Sequence, residues 1–266
     1  MPETFIELVP RCDASLRQSM AELEASGIPF DGYNIPEIVT GNQSFLRPED
    51  LLKLKSNGAI SEEKKLVLHL RTREHSAEET LDRLQLIARY NVAIALLVTG
   101  DPTLQEQGRC THAHDVLAAC SDHPPLPLGV AADIYQPQWG RWQQKKPFLG
   151  TTAQSVFTQP IFHPSLLEDI ALHTKDALQP EQVYVGITWI TTDRSRRYWH
   201  ERNAVPLTHL PQGGSDGEIN GNSIAQAADV LRAAKQQQHS IYIMLMRSTI
   251  AQLERVISLS ENIREI

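Results

Sequence analysis

The sequence predicts an α/β chain folded as a single (β/α)8 barrel over residues 1–266. Three observations lead there. Eight short apolar runs are spread along the chain, several of them apolar at nearly every position, as in parallel strands covered on both faces. Longer amphipathic stretches separate them, and that alternation builds a parallel sheet with helices packed outside. No GxGxxG follows the first strand, which removes the simplest dinucleotide-binding form of the competing open, doubly wound sheet.

Strands are expected at TFIELV (4–9), FDGYNI (30–35), KLVLHL (65–70), VAIALLV (92–98), LPLGVAA (126–132), AQSVFT (153–158), QVYVGIT (182–188) and SIYIMLM (240–246). Helices are expected at 13–26, 48–57, 76–90, 109–120, 164–176, 192–202, 222–237 and 248–260. SAEETLDRLQLIARY shows the helical pattern well. Ser76 stands as N-cap with Glu79 three residues on, and Leu81, Leu84, Ile87 and Ala88 share a face. The segment after the fifth strand, DIYQPQWGRWQQKKPF, has the weakest helix signal. LPQGGSDGEINGN (210–222) reads as a loop between the last two strand units, and no linker divides the chain.

Composition narrows the function classes. Apolar residues make up 41% and charged residues 21%, ordinary for a globular protein, and this length buries a core without disulfides or metal. A net charge of −7 argues against a general nucleic-acid binder. Cys12, Cys110 and Cys120 cannot all pair within the chain, which favours a reducing compartment. The N-terminus does not read as a signal peptide and no apolar run is long enough for a bilayer, so a cytoplasmic location and no membrane partner are expected. Oligomeric state is left open, with a homo-oligomer as one option.

Several other clusters are set aside. On a helix over 109–120, His112 and His114 diverge, so CTHAH is not expected to hold a metal. RSRRYWHER (194–202) reads as a solvated helix face or an anion-binding patch. No GxSxG marks a nucleophile.

In a barrel of this kind the active site forms where the C-terminal ends of the strands converge. LLVTGDPT (96–103) places Asp101 at the end of the fourth strand. Comparable places hold Asn34 and Glu37 after the second strand, His69 and Arg71 at the third, Asp133 and Tyr135 after the fifth, Gln159 at the sixth and Arg247 after the eighth. Any one of these could merely cap a helix; together they outline a polar pocket. Glu7 carries a sharper argument, because Phe5, Glu7 and Val9 share one face of the first strand. A carboxylate in a strand buried on both sides must be paired, protonated or functional, and burial raises its pKa towards that of a general acid. The alternative is an ion pair with Arg11 or Arg71.

Five motifs, in order, then suggest a family. FIELVPR (5–11), LHLRTRE (68–74), LLVTGDPT (96–103), GVAAD (129–133) and SVFTQPIF (155–162) resemble those of the methylenetetrahydrofolate reductases, and LMRS (245–248) resembles their LNRA. The resemblance implies a flavin-dependent (β/α)8 barrel that reduces methylenetetrahydrofolate to methyltetrahydrofolate. FAD would be its cofactor, NADH or NADPH its hydride donor, and a reduced folate its partner. By this resemblance Glu7 is the acid that protonates the folate as its imidazolidine ring opens. Asp101 faces the pterin, both binding it and making the iminium more electrophilic, and Gln159 bonds the pterin edge. His69, Gly100 and Ala131 match positions that line the isoalloxazine.

The departures fall on the flavin side. Thr99 stands where the family has Arg, Asp133 where it has Tyr, and NIPEI replaces the usual segment after the second strand. One reading is a reductase with an altered flavin pocket, in which Arg141, Lys145 and Lys146 meet the pyrophosphate and Trp139 or Trp142 stacks on the adenine. The alternative is a flavin-independent folate-binding barrel, either a direct nicotinamide-dependent reductase or a non-catalytic folate-binding partner. A third is a barrel that has changed substrate. An aromatic residue expected after the seventh strand has Trp189 as its nearest counterpart.

Overall fold

The computed structural model describes residues 1–39, 45–58, 60–100, 110–120, 123–136, 140–202, 205–207, 215–246 and 248–262. Its strands are β1 (Thr4–Glu7), β2 (Gly32–Ile35), β3 (Lys65–Arg71), β4 (Ile94–Val98), β5 (Leu128–Ala132), β6 (Ala153–Ile161), β7 (Val183–Ile187) and β8 (Ser240–Met244). They close in sequence order into a (β/α)8, or TIM, barrel. The intervening helices are α1 (Asp13–Ala25), α2 (Pro48–Ser56), α3 (Ala77–Ala88), α4 (Ala113–Ala119), α5 (Trp142–Lys145) and α6 (Leu166–Thr174). After β7 come α7 (Asp193–Arg197) and α8 (Asp216–Gln236), and α9 (Ile250–Glu261) follows β8. Among the described residues no helix is long and apolar enough to cross a membrane.

The local chemistry explains most elements. Every residue of β7 is buried, as its unbroken apolar run requires of a strand covered on both faces. Helix α3 opens on the expected reciprocal cap: Glu79 N donates to Ser76 Oγ at 3.1 Å and Ser76 N to Glu79 Oε2 at 2.6 Å. Its inner face is Thr80, Leu84 and Ile87, with Leu81 and Ala88 half-buried beside them.

Three expectations need correction. The stretch 210–222 is not all loop, because α8 begins at Asp216. There Ser215 and Glu218 form an S-x-x-E cap that outweighs Gly217 and Gly221. Helix α4 begins at Ala113, not at 109. His112 is therefore its extended N-cap, and its ring stacks on His114 at 5.5 Å and 12° instead of diverging. The helix expected over 192–202 splits into α7 and a π-helical turn over Tyr198–Arg202.

The described contacts fall into two units. The first comprises Phe5–Ala131 and Gln143–Phe157; the second comprises Met1–Thr4, Ala132–Trp142 and Thr158–Ile266. In the first, β1 to β4 run side by side in parallel, with Glu7 opposite Asn34 and Asn34 opposite Val67. In the second, β7 pairs with β8, and Phe162, Ile190, Trp199, Val205 and Ile219 form a buried cluster.

Candidate functional site

The first unit brings Glu7, Asn34 and His69 together on adjacent strands. Register does this: Glu7 and Asn34 are direct neighbours across β1 and β2. Glu7 is 7% exposed and Asn34 fully buried. Asn34 Nδ2 donates to Glu7 Oε2 at 3.1 Å, and Asn34 Oδ1 faces His69 Nε2 at 2.8 Å. With the amide nitrogen turned to Glu7, its oxygen must accept, so Nε2 of His69 carries the hydrogen. Burial then holds both end groups neutral, pushing Glu7 up to about 8 and His69 down to about 3. At neutral pH the trio contains a carboxylic acid with a proton to give, beside an imidazole that stays uncharged. Glu7 makes no ion pair among the described residues: Arg11 is exposed, and Arg71 is engaged by Glu74.

Arg71 belongs to a second network. Its Nε lies 3.2 and 3.1 Å from the two Glu74 oxygens, and its backbone N donates to Glu37 Oε2 at 2.7 Å. Glu37 in turn receives Arg83 Nη2 at 2.7 Å, and Arg83 Nε reaches Glu49 at 2.9 Å. Beside this network lies a cleft of about 1010 Å³ whose lining includes Glu37, Val39, Phe45, Arg47, Glu74 and Arg83. The Arg71 guanidinium also explains Gly100. That residue has φ +80°, and a Cβ on it would lie 2.4 Å from Arg71 Cζ.

Of the other first-unit candidates, Thr99 and Lys145 are occupied by structural bonds. Thr99 Oγ1 accepts from Ala113 N at 3.2 Å and so ties the end of β4 to the start of α4. Lys145 Nζ donates to Ala131 O at 2.5 Å, and Lys146 is half-buried in the turn after α5. Asp101, Trp139 and Arg247 lie outside the described residues.

In the second unit, the end of β6 presents Gln159. The carbonyls on either side of it are fixed, that of Thr158 by the Tyr242 hydroxyl and that of Pro160 by the Tyr135 hydroxyl at 2.8 Å. Gly186 N donates to Thr158 Oγ1 at 3.0 Å. Gln159 Oε1 is nonetheless buried with no hydrogen-bond partner among the described residues. Trp189, two residues beyond β7, is 3% exposed, and its Nε1 donor is likewise unmatched. An unsatisfied buried polar group costs about 1–3 kcal/mol. One acceptor and one donor of this kind suit a ligand that carries both. Asp133 is half-buried and Arg141 exposed, while Trp142 is 1% exposed and so presents no face for stacking.

Sequence reasoning named Asn34 only as a polar strand-end residue and Trp189 only as a near neighbour of an expected aromatic. The signal for Asn34 was available: an amide inside a buried strand, one strand along from a buried acid, can satisfy that acid only by facing it.

No protein-family model and no curated protein matches this sequence. Its fold is similar to that of an uncharacterized protein from Clostridium thermocellum that binds two copies of 5-methyl-5,6,7,8-tetrahydrofolic acid. The match covers 97% of this chain and 94% of that one, with a TM-score of 0.66 at 13% identity. Likeness at that identity speaks for the fold, here the barrel along nearly its whole length.

Proposed function

We propose that this chain is a reduced-folate-binding barrel that supplies the proton for methylenetetrahydrofolate reduction, with Glu7 as the acid. The burial of Glu7 in β1, where Asn34 holds it and loss of solvent raises its pKa, is the observation that carries the reading. The reaction needs one proton and one hydride. Glu7 gives its proton to the nitrogen whose bond to the methylene carbon breaks, and hydride adds to the iminium carbon so exposed. Oxidised nicotinamide and methyltetrahydrofolate are the products. Further support comes from the five ordered motifs, from the unmatched Gln159 and Trp189 groups, and from the folate bound by the Clostridium thermocellum protein. Asp101 is assigned to the aminopyrimidinone edge, where a carboxylate can accept paired N–H donors.

Two hydride routes are compatible with that acid, and one set of observations favours direct transfer from the nicotinamide over transfer through FAD. Of the positions that would line an isoalloxazine, His69 is turned to Asn34, Gly100 is covered by Arg71, and the Ala131 carbonyl is taken by Lys145. As they stand these residues do not fit a flavin cradle, and no step is derived through the flavin. Holding FAD by Arg141, Lys145 and Lys146 is the second reading.

The purified protein decides between them. Calorimetric titration with 5-methyltetrahydrofolate and with FAD, and a turnover assay with methylenetetrahydrofolate and NADH or NADPH, are the measurements. The expected result is a colourless protein that binds folate, ignores added FAD and turns over without it. A bound flavin spectrum overturns the direct route. Absence of folate binding overturns the whole reading, and binding without turnover reduces it to a folate-binding protein.

A further inference from the structure

Asn34 opens NIPEI, the stretch in which the sequence departs from the reductases, so the resemblance assigns it no role. In the structure it is the middle member of the buried trio. Strand β2 sets it directly opposite Glu7 on one side and Val67 on the other, two residues before His69. Asn34 is fully buried and cannot meet a ligand itself. Whatever it does for a reaction it does through its two neighbours.

A hydrogen-bond chain that runs through an amide has a direction. His69 Nε2–H donates to Asn34 Oδ1 at 2.8 Å, and Asn34 Nδ2–H donates to Glu7 Oε2 at 3.1 Å. A carboxylic acid has one carbonyl oxygen and one hydroxyl, and the carbonyl is the better acceptor. The N–H on Oε2 therefore places the acid's hydrogen on Oε1. Oε1 makes no hydrogen bond among the described residues, so nothing there holds that hydrogen back. The reversed amide is also self-consistent. Asn34 Oδ1 would then accept the Glu7 hydroxyl, and Asn34 Nδ2 would donate to a bare Nε2 on a His69 with its hydrogen on Nδ1. The acid would stay protonated, but with its hydrogen held inside the protein. Burial does not choose between the two states, because both keep Glu7 and His69 neutral. The position of the hydrogen on His69 does.

We infer that Asn34 and His69 are positioning residues for the proton transfer. His69 Nε2–H holds the amide with its nitrogen towards Glu7, and Asn34 thereby presents the Glu7 hydrogen on Oε1 to the substrate nitrogen. This rests on the folate reading above and adds the orientation of its acid. As the Oε1–H bond breaks and the new N–H bond forms, Glu7 becomes a carboxylate whose Oε2 already has the Asn34 donor on it. A donor fixed in advance stabilises that charge as it develops. The reversed amide would set a carbonyl oxygen against it.

Two measurements on the full chain test this. Nitrogen-15 NMR of the histidine rings, with His69→Gln to identify the His69 signals, reports which ring nitrogen carries the hydrogen. Hydrogen on Nε2 is expected; hydrogen on Nδ1 overturns the inference, whether or not the chain turns over. The second measurement is single-turnover reduction of methylenetetrahydrofolate at saturating concentration, with the Glu7 titration followed by NMR in the same variants. Asn34→Leu, similar in shape but without the amide, is expected to slow the reduction about tenfold to a hundredfold. It should hold 5-methyltetrahydrofolate within about threefold of the parent and leave Glu7 protonated at neutral pH. Circular dichroism checks that it is folded, and a second pair of variants leaves Asn34 in place. His69→Leu, which frees the amide to reverse, is expected to slow the reduction similarly. His69→Gln, whose side-chain N–H can again donate to Asn34 Oδ1, is expected to recover most of that loss. Equal rates in the two His69 variants, or a loss that follows only the fraction of Glu7 protonated, overturn the inference. No turnover in the parent overturns the reductase reading instead, and the His69 ring nitrogens are read separately from it.

Discussion

Two sets of buried polar residues, one in each unit, are satisfied in different ways. In the first, Asn34 bridges Glu7 Oε2 and His69 Nε2 with the two ends of its amide, and burial sets the protonation of the end groups. In the second, the backbone around Gln159 is held by two tyrosine hydroxyls, yet Gln159 Oε1 and Trp189 Nε1 are left unmatched. In the function proposed above, the first set holds the proton and the second set takes a ligand. The two sets can be broken independently.

The largest effect is expected from the first unit. Glu7→Gln keeps an acceptor for Asn34 but has no acidic proton, so folate should still bind while turnover falls at least about a hundredfold. Binding assays and single-turnover kinetics check this split. A variant that loses mainly melting temperature makes Glu7 a structural residue.

The pH dependence of stability sharpens the same side, and its sign follows from the two shifts. Folded Glu7 keeps its proton up to about 8, whereas unfolded it loses it near 4.5, so stability declines as pH rises between those values. Folded His69 stays neutral down to about 3, whereas unfolded it takes up a proton near 6.5, so stability declines as pH falls between those values. Where the ranges overlap, from 4.5 to 6.5, the two slopes cancel. Outside that plateau each arm should fall at about 1.4 kcal/mol per pH unit. Denaturant unfolding at a series of pH values should show the plateau, with Glu7→Gln removing the alkaline arm and extending the acid arm up to 6.5, and His69→Gln removing the acid arm and extending the alkaline arm down to 4.5.

Gly100→Ala should cost about 2 kcal/mol, because alanine at φ +80° is strained and its methyl group must displace the Arg71 guanidinium. Thermal unfolding measures the loss, and Arg71→Ala in the same background should recover part of it. An unchanged melting temperature contradicts the packing described for Arg71.

The smallest effects belong to the second unit and run in the reverse sense. Trp189→Phe and Gln159→Leu each remove an unmatched buried group, so the ligand-free protein should be as stable as the parent or up to about 1 kcal/mol more stable. Folate affinity should nonetheless drop, by about threefold to tenfold for each. If either substitution destabilises the free protein and spares folate binding, the group already has a structural task and the contrast between the units collapses.

Much of the barrel was legible because strand and helix periodicities differ and eight units repeat them. Element ends were less so. The 216–222 turn of α8 hides behind two glycines, and only the Ser215–Glu218 cap reveals it. His112 is read from spacing as helical, while its extended backbone makes it the N-cap of α4. In the site, Glu7 could be read from one strand, because a lone carboxylate in an apolar run is a physical anomaly. The Asn34–His69 link needs the register of three strands, and the covering of Gly100 by Arg71 needs coordinates. The unmatched atoms of Gln159 and Trp189 are defined by what surrounds them, which no spacing rule reports.

The account stands most directly on the proton of Glu7. Carbon-13 labelling of glutamate side chains, with Glu7→Gln to identify the Glu7 carboxyl signal, allows its titration to be followed by NMR. The predicted midpoint is about 8, well above the usual 4.5, so that the acid is mostly protonated at neutral pH. A midpoint in the ordinary carboxylate range, leaving Glu7 ionised at neutral pH, would contradict its role as the proton donor.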